Sequence, residues 1–331
     1  MVPYIIRRLL TMIPVLIIVS GITFILMHSA PGGPWDRDPG ARQVDANTQK
    51  LLTEYYGLDK PPLRQWMAYT FGDVNKDGKF ICGAICGNLG PSYRQRGMTI
   101  QQILFSPPEG KPWYFSRFGY SMRLGFLALT VAVLIGMPMG ILSALKQNTG
   151  WDYVAMFIST LGVSIPSFVV AIFLIIIFGS WLKVLTIVPK SWDSFGVWIL
   201  PAFVLGFGTL SRTARLTRAS MLEVIRQDYI RTARSKGLAE GTVISRHMIK
   251  NALIPVVTIL GPNLAGLITG SFIIETMFSF PGMGRAYVTA IGQRDYSMIM
   301  GTTLIFAMLI SLANISVDIV YGFIDPRIRI E

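Results

Sequence analysis

The sequence predicts an all-α integral membrane protein with six transmembrane helices and a long external loop between the first two. Three observations carry this. Hydrophobic residues make up 52% of the 331-residue chain against 15% charged, with mean hydropathy +0.51. Six runs without a charged residue, at 9–27, 124–145, 153–182, 194–211, 252–274 and 297–317, are long enough to cross a hydrocarbon core, which takes about 20 helical residues. Basic residues gather at alternate ends of these runs, as membrane topology requires.

Inside lipid the backbone must satisfy its own hydrogen bonds, so the runs are helices. The first follows Arg7 and Arg8 and contains Pro14. Its apolar core spans a whole bilayer and no small-x-small cleavage pattern follows, so it is expected to be a retained helix, 1–29. Residues 30–118 form the external region, with an insertion at about 73–90. The second run carries Pro138 and ends at Lys146. The third is too long for a straight crossing and has Pro166 near its middle, so it tilts or bends. Pro201 lies in the fourth run, and Pro255 and Pro262 in the fifth; neighbouring helices support such kinks in a bundle. The last run leads to a tail, 326–331, with Arg327 and Arg329.

Between Arg212 and Lys250 stand nine Lys or Arg against three acids, Glu223, Asp228 and Glu240. With Arg7, Arg8, Lys146, Arg327 and Arg329, these fall on one side of a six-crossing chain, so both termini are expected to be cytoplasmic. The net charge of +12 therefore reads as orientation, not nucleic-acid binding, because no basic platform interleaved with aromatics accompanies it.

The basic island itself reads as a helical hairpin. Residues 231–236 form a short helix that Gly237 ends through a left-handed cap, and 242–252 form a second. Small Ala233 is expected on the exposed side, where a partner approaches. Two readings stay open from the residues alone: a loop anchored to anionic headgroups of membrane lipids, or a docking element.

The island resembles the signature loop of ABC-importer permeases, and within them the peptide branch. Tyr229, Arg231, Thr232, Ala233, Arg234, Lys236, Gly237 and Leu238 match its first half. Arg246, His247, Asn251 to Leu253 and Pro255 match its second, while the general loop's leading acid and closing proline are absent. The resemblance also covers Arg7 to Leu10, Pro31-Gly32-Gly33-Pro34, Gly57 to Pro61, Phe278 to Arg285, Arg294-Asp295-Tyr296, Asn314, Asp318 and Asp325 to Arg327, but not roughly 73–90. It implies a type I ABC importer permease fold over 119–325, with a coupling region at about 226–250. It implies four core parts: two permeases, usually different chains, and two cytoplasmic ABC ATPase subunits, with an extracytoplasmic substrate-binding protein. The ATPase-coupling residues would be Tyr229, Arg231, Thr232, Ala233, Arg234, Lys236, Gly237, Leu238 and His247. ATP and magnesium would bind only on partner subunits, and the chain itself has no Gly-x-x-x-x-Gly-Lys-Ser/Thr loop.

The runs contain no acid or base that could carry a coupling ion. Glu275 and Asp318, just past run ends, are expected at the interface. Pathway candidates are Ser164, Ser167, Asn263 and Asn314, whose polar groups alternatively bond between helices. Relatives in the family also move nickel, which favours imidazole ligands, but the only histidines are His28 and His247, so peptides are the expected substrate. Alternative functions are a stand-alone secondary carrier or channel, and a membrane hydrolase, for which the runs hold no catalytic constellation.

In the insertion, Asp73, Asn75 and Asp77 with Gly78 match the first half of an EF-hand loop, the Lys79 carbonyl standing at position seven. Position twelve is Ala84, so the bidentate carboxylate is missing; the expectation is a weak calcium site or a polar Asx turn. Cys82 and Cys86, the only cysteines, are expected to pair in an oxidising exterior, with free thiols or a shared metal as alternatives.

Overall fold

The computed structural model describes residues 2–35, 45–74, 78–186, 189–269 and 272–324. The chain divides into two compact units, Val2–Tyr120 with Pro281–Ser311, and Ser121–Phe280 with the segment from Leu312 onward.

In the first unit, α1 (Val2–Ser29) is followed by α2 (Ala46–Tyr55), α3 (Pro62–Phe71), a hairpin of β1 (Gly72–Val74) and β2 (Phe80–Cys82), and α4 (Ile100–Phe105). Helix α14 (Met283–Gln293) and the start of α15 (Tyr296–Ile324) complete it. The α1 surface is largely apolar and exposed, including Leu10, Ile18, Ile22 and Leu26, as a lipid-facing helix requires. Thr99 caps α4 in a reciprocal capping box with Gln102.

The centre of this unit is Asp295, just before α15. Its buried carboxylate accepts from the Ser92 hydroxyl, and from the backbone N–H groups of Tyr93 (3.1 Å) and Met298 (3.2 Å). Its neighbours grip the 31–34 turn. Arg294 Nη1 donates to the Gly33 carbonyl (3.2 Å), the Tyr296 hydroxyl to that of Gly32 (3.3 Å), and Arg94 Nη2 to that of Pro34 (2.7 Å). Two sequence stretches more than 250 residues apart thus meet. Beside them, the Trp35, Tyr56 and Tyr93 rings cluster, and Trp35 Nε1 donates to Thr53 Oγ1.

The second unit is a helical bundle. Helix α5 (Arg117–Leu145) enters it and is followed by α6 (Gly150–Ser164), α7 (Ser167–Leu174, continuing as a π-helix over Ile175–Trp181) and α8 (Gly196–Ile225). The third apolar run is broken, because α6 ends at Ile165 and α7 restarts after Pro166 at a bend of 111°. Pro166 has no N–H to continue the first helix. Counting that pair once, the described residues contain six candidate crossings: this pair, Ile5–Ser29, Arg117–Leu145, Gly196–Ile225, Ile254–Met277 and Tyr296–Ser316.

Helices α5 and α8 touch backbone to backbone. A β-carbon on Gly206 would stand 2.5 Å from the Ala128 carbonyl oxygen, so only glycine permits this approach, the usual small-residue seam of membrane helices. The aromatic rings of Trp192, Trp198 and Phe280 meet edge to face, with Arg123 4.5 Å over the Trp198 ring.

Two expectations require correction. The fourth run was expected to end at Ser211, but α8 continues unbroken to Ile225, since arginine is a good helix former and the weaker formers Thr213 and Thr217 are buried. Glu275 is not exposed at an interface. It is fully buried and accepts from Ser121 Oγ at 2.7 Å, which places a hydrogen-bonded carboxylate within the Ile254–Met277 span. The side chain of Asp318 lies outside the described residues.

The insertion is a hairpin, with Gly72 opposite Cys82, Asp73 opposite Ile81 and Val74 opposite Phe80. Cys82 and Cys86 are joined, with a Cα–Cα distance of 5.9 Å. The calcium expectation finds no support. Asn75 and Asp77 lie outside the described residues, and the Asp73 carboxylate is engaged by Lys60 Nζ at 2.7 Å. That hydrogen bond holds the Asp73 carboxyl below its usual range. Lys79 is exposed, and among the described residues no group of three metal-binding side chains exists.

Asp295→Ala should leave the Tyr93 and Met298 N–H groups without their acceptor and lower stability by about 3 kcal/mol or more, read as thermal unfolding in detergent. An unchanged transition would remove Asp295 from this role. Alkylation of the denatured chain should label Cys82 and Cys86 only after reduction; labelling without reductant would contradict the bridge.

Candidate functional site

The basic island is a compact hairpin. Its first arm is α9 (Asp228–Ser235), three residues longer at its start than the sequence suggests. Only Ile230 and Ala233, one helical turn apart, are buried in it. They pack with Ala144, Met221, Val243, Met248 and Ala252 in one apolar cluster, each large side chain contributing about 1.5–3 kcal/mol on full burial. Ala233 was expected on the exposed side; it is 6% exposed and faces the chain's own core. The i, i+3 spacing of Ile230 and Ala233 explains this, since both must share one face.

The turn is a Schellman motif. Gly237 N–H donates to the Arg234 carbonyl (2.9 Å) and Leu238 N–H to that of Ala233 (3.4 Å), and Gly237 has φ +73°. This is the left-handed position where glycine carries no β-carbon penalty. Arg234 clasps Glu240 through Nε (3.1 Å) and Nη2 (2.6 Å). The second arm is α10 (Glu240–Thr242), a π-helix over Val243–Ile249, and α11 (Lys250–Ala252), then α12 (Ile254–Thr269) and α13 (Phe272–Met277). It begins two residues earlier than expected and is wider than an α-helix, a local form frequent at functional sites.

Several coupling candidates hold the hairpin together. Asn251 Nδ2 donates to the Tyr229 hydroxyl at 3.0 Å and to the His247 carbonyl, tying the arms. Thr232 Oγ1 donates to the Asp228 carbonyl, and Arg231 lies 3.6 Å from Asp228. Arg231, Lys236, Gly237 and Leu238 are exposed, and Leu238 is an apolar side chain at the tip.

The hairpin grows from the end of α8, and α8 is locked to α6 by an ion pair that sequence reasoning missed. Asp152 is buried; it accepts from Arg218 Nε (2.7 Å) and Nη2 (2.8 Å), Ser143 Oγ (2.5 Å) and Asn148 N–H (3.0 Å). The two residues are 66 apart in sequence, so no local pattern announces them.

The pathway candidates separate. Ser164, Ser167 and Asn263 line one cavity of about 450 Å³ at the α6–α7 break, together with Arg212. Asn314 is exposed on α15 and is not among the lining residues.

With this geometry, the comparisons with known proteins are specific. A model of the family described as "Binding-protein-dependent transport system inner membrane component" matches residues 136–330, and its N-terminal counterpart matches 1–110. The dipeptide transport system permease protein DppB of Bacillus subtilis (strain 168) is 37% identical over 331 residues, 100% of this chain and 99% of its own length. The oligopeptide transport system permease protein OppB of Salmonella typhimurium is 36% identical over 329 residues, 99% of this chain and 100% of its own. The chain belongs to this permease family. The inward-facing MetNI methionine ABC transporter matches with TM-score 0.53 and 17% identity over 63% of this chain and 94% of that one, which establishes a shared fold, the type I importer permease architecture. The protein is therefore a multi-pass permease subunit and not an enzyme. Membership answers the carrier and hydrolase alternatives.

Asp152→Ala should strand the Arg218 guanidinium beside α6 and destabilise the bundle by about 3–5 kcal/mol. Asp152→Ala/Arg218→Met should recover part of that loss. Thermal melts of the four combinations check it; additive single effects would mean the pair does not act as a unit.

Proposed function

We propose that this chain is one of two permease subunits of an ATP-driven peptide importer, and that its basic hairpin couples it to a cytoplasmic ABC ATPase. The observation that carries the reading is end-to-end similarity to DppB and OppB, permeases of peptide transport systems. The geometry supports it: an exposed, pre-shaped turn on a stiff helix suits a part that transmits force.

In this reading the tip around Gly237, with Arg231, Lys236 and Leu238, seats in a groove of the ATPase. Tyr229, Thr232, Arg234 and His247 keep the hairpin in shape. ATP-driven closure of two ATPases pushes the tip, and α8 carries the displacement into the bundle as a rigid-body switch. The basic flanks put both termini and the hairpin in the cytoplasm. Residues 30–118 then face outward, where a binding protein delivers peptide. A second permease completes the pathway, and 119–325 form this chain's share of it.

Two substitutions separate local strain from docking. Asparagine tolerates a left-handed backbone, whereas most side chains there cost about 1–2 kcal/mol. In proteoliposomes holding both permeases, both ATPases and the binding protein, Gly237→Asn should retain most peptide uptake. Gly237→Trp should abolish it while peptide still binds the binding protein. Normal uptake by G237W would refute the coupling role, and solute accumulation by the isolated chain would favour a secondary carrier.

A further inference from the structure

Among the described residues, the polar side chains that line the cavity at the α6–α7 break are hydrogen-bond donors, with no acid. It is formed where α6 stops at Ile165 and α7 restarts, against α8 and α12. Arg212 of α8 brings the one cationic side chain of its lining. A β-carbon built on Gly208, one turn earlier and itself a lining residue, would lie 3.8 Å from Arg212 Nη2. The guanidinium therefore reaches back along α8 toward the cavity. Among the described residues no carboxylate pairs with Arg212, whereas Arg218, Arg231 and Arg234 all have one.

Two further features point the same way. Asn263 Nδ2 is buried without a hydrogen-bond partner among the described residues, and a buried donor left unmade is costly unless something accepts from it. Helix α7 starts at Ser167 with no side-chain cap; the Val169 and Val170 N–H groups already donate to the Pro166 carbonyl (3.0 and 3.3 Å), which leaves those of Ser167 and Phe168 as the donors at an end whose dipole favours negative charge. The hydroxyls of Ser164 and Ser167 line the same space. A broken membrane helix whose half-helix start faces a cavity is a general solution for holding an anionic group at membrane depth.

We propose that this cavity is a subsite for a carboxylate of the passing solute, with Arg212 as its specificity-determining cation and Asn263 and the start of α7 as neutral donors. The inference rests on the peptide reading above, in which the group would be the C-terminal carboxylate of the peptide.

The test uses the complete complex in proteoliposomes with two probes, alanyl-alanine and alanyl-alaninamide, each at saturating binding protein. The wild-type complex should move the free acid faster than the amide. Arg212→Gln should reduce that preference roughly tenfold or more, the worth of a hydrogen bond to a charged group. Arg212→Lys should keep part of it, and the charge-matched control Arg215→Gln, an exposed residue of the same helix outside the cavity lining, should keep all of it. An R212Q complex with the wild-type acid-to-amide ratio overturns the proposal, as does equal loss in R212Q and R215Q. If R212Q does not assemble, Asn263→Leu carries the test, with a reduced ratio expected and an unchanged one overturning it. A wild-type complex that takes up neither probe would count against the peptide reading itself, a result distinct from an unaltered ratio in the variant.

Discussion

The carboxylate of Asp152 sits under the first turn of α6 and accepts both arms of the Arg218 guanidinium, while Ser143 and the Asn148 amide fill its remaining positions. Because every lone-pair direction is used, a buried charge becomes a rigid joint instead of a liability. The joint binds the end of α5, the start of α6 and the lower half of α8. Farther along, the bare backbone contact at Gly206 holds α5 against α8. Helix α8 is thus fixed at two levels over a length of 30 residues. In the coupling role proposed above, such fixing lets a displacement at its end reach the bundle as motion rather than dissipate as bending.

The hairpin is attached by the same logic. Ile230 and Ala233 insert among Met221, Val243, Met248 and Ala252, with Ala144 of α5 on the far side. The protrusion is packed onto α5 and α8. Its charged residues are left for the outside, and the apolar side chain of Leu238 at the tip stays uncovered by the chain itself.

The features legible in the sequence were those set by short-range chemistry. The apolar runs announced the crossings, Pro166 announced the bend, and Gly237 announced a left-handed cap. Ala233 was misread although its spacing from Ile230 pointed inward. Asp152 and Glu275 were not legible, because their partners Arg218 and Ser121 lie 66 and 154 residues away. A run drawn by counting charges must stop at such an acid, while the fold buries it beside a donor. The EF-hand resemblance finds no support at Asp73, whose carboxylate is taken by Lys60, a residue outside the motif and 13 positions away. Arg212 fell just outside an apolar run and read as topology alone. Its placement beside Ser164, Ser167 and Asn263 exists only once α6 and α7 are folded apart.

The Schellman closure at Gly237 has a kinetic corollary. Its two backbone hydrogen bonds and the Arg234–Glu240 clasp lie wholly inside the hairpin, so the turn needs no template to take its form. A surface that meets it encounters a finished shape and does not have to immobilise a floppy loop, which removes an entropic penalty from association. Such a contact could be released and remade without refolding the hairpin.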